Sequence, residues 1–170
     1  MSDYNIENNV LIRYLGNSEH VTIPDGVETI GRFAFKQSRK TLKSVTIPDS
    51  VTEICEGAFD TCVNLEAVSF GKNIKRICNG AFNSCGSLTS ISLPEGLERI
   101  DLAAFQSCAS LKDVYIPDSV TRIGNSAFYL CNIKSVTIPA SCNCDYTAFD
   151  RSCRVTRRNI EPQRSQELKV

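Results

Sequence analysis

Apolar residues recur along this chain in a fixed order. From Leu42 the sequence reads Leu-x-x-Val-x-Ile-Pro, then Val-x-x-Ile, then Ala-Phe-x-x-Cys, closing at Cys62. Six Ala-Phe dipeptides mark the repeat, with Phe35, Phe59, Phe82, Phe105, Phe128 and Phe149 separated by 24, 23, 23, 23 and 21 residues. The first block alternates, which predicts a short strand with one face buried: Val45 and Ile47 inward, Ser44 and Thr46 outward. Pro48 donates no ladder hydrogen bond, so it ends the strand and turns the chain. Val51 and Ile54 start the return path. Ala58 is small enough to lie under a neighbouring coil, and Phe59 fills the middle of the core.

One such unit cannot bury its own apolar side, whereas stacked units bury it against each other. A period of 20–29 residues with regular Leu, Val and Ile is the signature of a leucine-rich repeat solenoid. The predicted fold is therefore an α/β-type repeat solenoid of about six coils, with a parallel sheet and few or no regular helices. At about 4.8 Å per coil the stack would run roughly 30 Å along its axis. Residues 1–20 read as an N-terminal capping hairpin turning at Asn8-Asn9, residues 21–153 as the solenoid, and residues 154–170 as a basic C-terminal tail. In the third repeat Phe70-Gly71 replaces Ile-Pro, and in the sixth Ser141-Cys142-Asn143-Cys144 replaces Val-x-x-Ile, which reads as a degenerate, capping coil. The scattered Val155, Ile160 and Leu168 of the tail leave two options, disorder or folding over the last coil.

The stretch Val45 to Cys62, VTIPDSVTEICEGAFDTC, resembles the BspA-like leucine-rich repeats, and the resemblance covers roughly residues 5–153. It implies a curved, right-handed solenoid whose parallel sheet lines the concave face. It also implies a non-catalytic role in protein binding or adhesion, often in large proteins that are secreted or attached to the cell surface.

Composition narrows this only slightly. Nineteen basic and nineteen acidic residues cancel, so whole-chain charge argues for neither nucleic acid nor membrane. The balance is uneven along the chain: residues 151–170 carry six basic and two acidic groups, residues 1–150 thirteen and seventeen. No apolar run approaches the roughly 18 residues of a membrane span. The start, MSDYNIENNV, has no basic and no apolar segment, so it does not read as a signal peptide. The expected location is the cytoplasm, with a secreted or surface location as the alternative if the chain is cut from an exported precursor.

Nine cysteines are the first candidate chemistry. Cys62, Cys85, Cys108 and Cys131 share one repeat position and Cys55 and Cys78 another, which argues for packing as small hydrophobes. Neighbouring coils would place such Cα atoms about 5 Å apart, so bridging is possible but not required. Cys142-x-Cys144 with Cys153 lacks a fourth zinc ligand, since His20 sits at the opposite end, and no metal site or cofactor is expected. His20 beside Ser44 lacks a third group to orient it, so no catalytic residue is expected either.

Surface columns remain. Thr46, Ser69, Ser92, Tyr115 and Thr137, with Asp113 alongside, make the outward sheet face. They form a flat platform whose aromatic anchor is Tyr115, of a type enriched in binding hot spots. Arg76, Arg99 and Arg122 form an alternative basic stripe, placed by the pattern around the turn and off the sheet, for an acidic partner or glycan. The expected function is a non-catalytic scaffold holding a protein partner on the concave sheet face. The alternative is a cell-surface adhesion or glycan- and ligand-binding module.

Overall fold

The computed structural model describes residues 2–158. The chain opens with two strands, β1 (Tyr4–Glu7) and β2 (Val10–Tyr14). Each coil then contributes a longer and a shorter strand. The first three coils give β3 (His20–Thr22), β4 (Thr29–Ile30), β5 (Ser44–Thr46), β6 (Glu53–Ile54), β7 (Ala67–Ser69) and β8 (Arg76–Ile77). The next three give β9 (Ser90–Ser92), β10 (Arg99–Ile100), β11 (Asp113–Tyr115), β12 (Arg122–Ile123), β13 (Ser135–Ile138) and β14 (Asn143–Cys144), before β15 (Arg154–Arg157). No helix forms among the described residues. The result is a parallel β-solenoid of about six turns.

The return path is more regular than the pattern implied. The shorter strands, built on the last two residues of Val-x-x-Ile, pair in parallel from β2 to β14. With β1 they make one eight-stranded sheet. Ile54 pairs with Ile77, Ile77 with Ile100 and Ile100 with Ile123. The expected sheet of longer strands exists but in three pieces, β3-β5-β7, β9-β11 and β13-β15. Pro24, Pro48, Pro94, Pro117 and Pro139 end the longer strands, and each accepts a hydrogen bond at its carbonyl from the amide three residues on, a tight turn into the shorter strand.

The core is a ladder of rings. Phe59, Phe82, Phe105, Phe128 and Phe149 stack at 4.9 to 5.2 Å with planes within 6° of parallel. Phe35 lies 4.5 Å from Phe59. Leu42, Leu65, Leu88, Leu111 and the six alanines before each Phe are fully buried around them. The buried rungs sit one coil apart, so each ring covers the next and none is wet except at the ends.

Both ends depart from the sequence reading. Asn8 and Asn9 adopt φ of 50° and 63°, the left-handed pair that a two-residue hairpin turn demands. Strand β2, however, is already part of the stack: Leu11 pairs with Ile30, and the Tyr14 ring stacks 5.3 Å from Phe35. Only β1 therefore lies beyond the ladder. Tyr4 packs 5.3 Å from Tyr14, and its hydroxyl donates to the Thr22 carbonyl at 2.8 Å. At the other end, residues 154–157 take the second of the two options, folding against the last coil as strand β15 paired with β13 from Ser135↔Arg154 to Ile138↔Arg157. Cys142 is buried in the Val position and Cys144 half-buried in the Ile position, so the sixth coil keeps the repeat's geometry with cysteine in place of branched residues. Ile160 and Leu168 lie outside the described residues.

Candidate functional site

The outward residues of the longer strands sit where alternation puts them. Thr46, Ser69, Ser92, Asp113, Tyr115 and Thr137 are all exposed, while Val45, Ile91 and Val136 between them are buried. Tyr115 follows Ser92 in register on the adjacent strand, as Asp113 follows Ser90. The Tyr115 side chain is 54% exposed on a face otherwise made of small polar groups. It borders a shallow depression of about 480 Å³ with Asp113, Val136, Thr137 and Arg158.

Arg158 is the residue the sequence reading missed. Its backbone nitrogen donates to Ile138 O, extending the β15 pairing, and its guanidinium carbon lies 4.8 Å over the Tyr115 ring. The same guanidinium donates to the Ile116 carbonyl and pairs with Asp118. Arg157 beside it donates to the carbonyls of Ala140 at 2.9 Å and Cys142 at 2.8 Å, closing the last turn. Two arginines of the supposed tail are thus anchored on the body. Nothing in the local sequence signals a contact across 43 positions.

The three arginines lie off the sheet of longer strands, around the turn, but on a sheet of their own. They occupy β8, β10 and β12 and pair directly, Arg76 with Arg99 and Arg99 with Arg122, on the eight-stranded sheet's outer face. Their mutual repulsion is relieved by acids. Arg76 Nε donates to Asp101 Oδ2 at 2.7 Å and its Nη1 to Glu53 at 3.2 Å, while Arg99 Nη2 donates to Asp101 Oδ1 at 3.2 Å. Asp101 is only 5% exposed. It stands one residue after the strand, where neighbouring coils carry Cys55, Cys78, Gly124 and Asp145. A carboxylate at that register beside an arginine column was the available sequence signal. Asp101, Gly124, Arg99, Arg122, Asn125 and Asn143 enclose most of a pocket of about 320 Å³.

The cysteines pack as their register implied, and all nine are free thiols. Cys85, Cys108 and Cys131 each donate to the carbonyl of the Phe one coil back, Phe59, Phe82 and Phe105, at 3.2 to 3.3 Å. Ser38 takes the same place in the first coil and donates to Gly16 O at 3.0 Å. Burial pushes the Cys62 thiol up to about 12 and that of Cys144 to about 11. Cys55 runs the other way: hydrogen bonding with the neighbouring Cys78 thiol lowers its pKa. No group of three or more potential metal ligands gathers among the described residues. His20 Nδ1 lies 2.8 Å from Ser44 Oγ across β3 and β5, an exposed contact with no acid hydrogen-bonded to the ring among the described residues.

Known proteins share this geometry. A leucine-rich repeat protein of T. pallidum is 26% identical and superposes with a TM-score of 0.72, covering 91% of this chain and 82% of that one. A leucine-rich cell surface protein of Faecalibacterium prausnitzii A2-165 is 27% identical with a TM-score of 0.73, over 91% of this chain and 52% of that one. The pneumococcal vaccine antigen PcpA shares the fold at 16% identity, with a TM-score of 0.68 over 89% of this chain and 45% of that one. No curated protein matches. The BspA type leucine-rich repeat region matches in six copies, over residues 5–48 and 28–156. With the period, the two parallel ladders and the ring stack in agreement, the chain belongs to the BspA-type leucine-rich repeat family.

Proposed function

We propose that this protein is a non-catalytic scaffold that holds another protein against the outward face of its longer strands. The observation that supports this most is Tyr115. It is the exposed aromatic of a flat face of Thr46, Ser69, Ser92 and Thr137, with Asp113 and the Arg158 guanidinium beside it. Serine and threonine contribute little binding energy of their own, so one amphipathic ring supplies most of what a partner can bury. Catalysis has no comparable support, since leucine-rich repeat solenoids are extended recognition surfaces.

The test is site-specific photocrosslinking in native lysate, with the crosslinker at position 115 and, separately, at position 99. Capture of one protein at 115 is expected. Tyr115→Ala should then weaken that complex by about 2 kcal/mol, roughly thirtyfold, with shallow salt dependence. Capture at 99 alone, abolished by Arg99→Glu and by salt, would overturn this reading in favour of the arginine face.

A second reading rests on the leucine-rich cell surface protein of Faecalibacterium prausnitzii, 27% identical over 91% of this chain. Under it the same face binds a ligand or glycan outside the cell. Protease shaving of intact source cells separates the two: loss of the protein from unbroken cells supports surface display, and full protection supports the cytoplasmic scaffold.

A further inference from the structure

The arginine face holds an unclaimed feature, independent of the Tyr115 reading. Between Asp101 and Asp145 the repeat places Gly124, so no side chain projects at that step. The glycine is obligatory: a Cβ there would lie 2.7 Å from the Leu102 nitrogen and 2.8 Å from the Asp101 carbonyl carbon. The gap above it is the floor of the 320 Å³ pocket, walled by Arg99 and Arg122.

Hydrogen-bonding capacity in this pocket is unevenly used. Both oxygens of Asp101 are taken by Arg76 and Arg99. Asp145 Oδ1 accepts from Thr147 through both the backbone nitrogen and the hydroxyl, and that bonding holds its pKa down. The donors are spare. Arg99 Nε is buried and has no hydrogen-bond partner. Among the described residues the Arg122 guanidinium makes no hydrogen bond or ion pair, and the Asn125 and Asn143 side-chain amides donate to nothing. Of these donors the Arg99 Nε is buried, and a buried unpaired donor is rare and asks for an acceptor, while Arg122, Asn125 and Asn143 stand exposed around it. Two guanidinium groups from residues in register on adjacent strands, with spare N–H groups, suit a carboxylate, which takes paired donors.

Charge sets the valence of that acceptor. The lining carries three arginines against Asp101 and Asp145, and Glu53 holds Arg76 on its outer side. A monoanion fits this balance, whereas a phosphate dianion would sit against two carboxylates. Volume sets the size, because the pocket lies at the lower limit for small-molecule sites.

We propose that this pocket binds a hydroxylated monocarboxylate of the size of one acidic sugar ring. Its carboxylate lies between Arg99 and Arg122, and its hydroxyls meet the Asn125 and Asn143 amides. An open, polar site of this kind holds a single ring weakly, with a Kd on the order of 1 mM.

The full chain, titrated with glucuronate and followed by amide chemical shifts, tests this. Saturable shifts confined to residues 99–101, 122–125 and 143–145 are expected, with none of comparable size from glucose. Arg122→Gln should weaken binding at least roughly tenfold while leaving the rest of the spectrum in place, because an exposed arginine without an ion pair has no structural task. Asn125→Leu, which fills the pocket and keeps its charge, should do the same, so a variant that fails to fold does not decide the matter alone. Tyr115→Ala should bind as the parent does. No saturation by ~20 mM, equal shifts from glucose, tighter binding of inorganic phosphate, or indifference to both variants would each overturn the proposal.

Discussion

The shorter strands, β4 to β14, form an unbroken ladder, whereas the longer ones, β3 to β15, form three separate pieces. Strand length predicts the opposite, since two residues make a weaker strand than three. The difference lies in regularity. Along the unbroken ladder the inner residue is Ile in every coil from Ile30 to Ile123, and backbone amides just before and after each strand bond to the coil before it. The breaks in the other ladder fall beside repeat irregularities. One follows β7, where Phe70-Gly71 replaces Ile-Pro, and a Cβ on Gly71 would lie 2.2 Å from Pro48 O. The other follows β11, in the fifth coil, which loses a residue after Cys131. Register fidelity, more than strand length, keeps a solenoid ladder continuous.

The two faces also differ in how their charges are handled. On the arginine face Glu53 and Asp101 hold Arg76 and Arg99, while Arg122 is left without an ion pair among the described residues. On the Tyr115 face there is little charge to spend, and an aromatic side chain is left outward. A shared core beneath both predicts that its loss removes the two together. Phe82 stacks on Phe59 and Phe105 and is met edge-on by Phe70 at 5.7 Å. Phe82→Ala should cost ~3–5 kcal/mol as an internal cavity. For a chain of this size that lowers Tm by roughly 10 °C. Phe149→Ala, at the end of the stack, should cost less. Equal losses at both positions would show that the stack does not act through nearest neighbours.

Much of this was legible. The Ala-Phe period located every ring from Phe35 to Phe149, and alternation placed Thr46 and Tyr115 outward. Three things were not. Tyr14 entered the ring ladder without an Ala-Phe dipeptide, because a tyrosine at the chain's start carries no repeat mark. The x-Ile dipeptides were too short to show alternation, so their sheet was hidden, and with it the placement of Arg76, Arg99 and Arg122 on strands. Arg158 reached Tyr115 through tertiary packing, which composition of the 154–170 segment does not report.

The next effect in size separates the faces by their charges. Asp101 is buried and bonded to two arginines, each about half exposed. Asp101→Ala strands the Arg99 guanidinium and leaves Arg76 with Glu53 alone, and should destabilise the fold by about 2 kcal/mol, below the cost of a fully buried pair because the arginines can turn to water. Asp113→Ala, on the exposed face, should stay within about 0.5 kcal/mol. Urea unfolding of the two variants gives the comparison directly. A neutral Asp101→Ala would mean that the arginine column needs no internal acid, and that the contrast between the faces is one of composition alone.

The smallest effect bears most on where a partner sits. Arg158 over Tyr115 is an exposed cation–π contact, and such contacts contribute about 0.5–1 kcal/mol. Arg158 is also held by Asp118 and the Ile116 carbonyl, so its removal alone mixes several losses. A double-mutant cycle isolates the pair: Tyr115→Ala, Arg158→Ala and both together, each measured by urea unfolding. A coupling of about 0.5 kcal/mol is expected, close to the limit such measurements resolve. Because the contact is this weak, a partner can displace the guanidinium from the ring at little cost. It can equally accept the stacked pair as one surface, with the ring's edge and the cation presented together. Partner affinity decides between them. If Arg158→Ala tightens the complex, the arginine covers the anchor. If it weakens the complex alongside Tyr115→Ala, and the two losses are not additive, the pair is the anchor. A coupling of zero would leave Tyr115 unpaired on its face and remove Arg158 from the site.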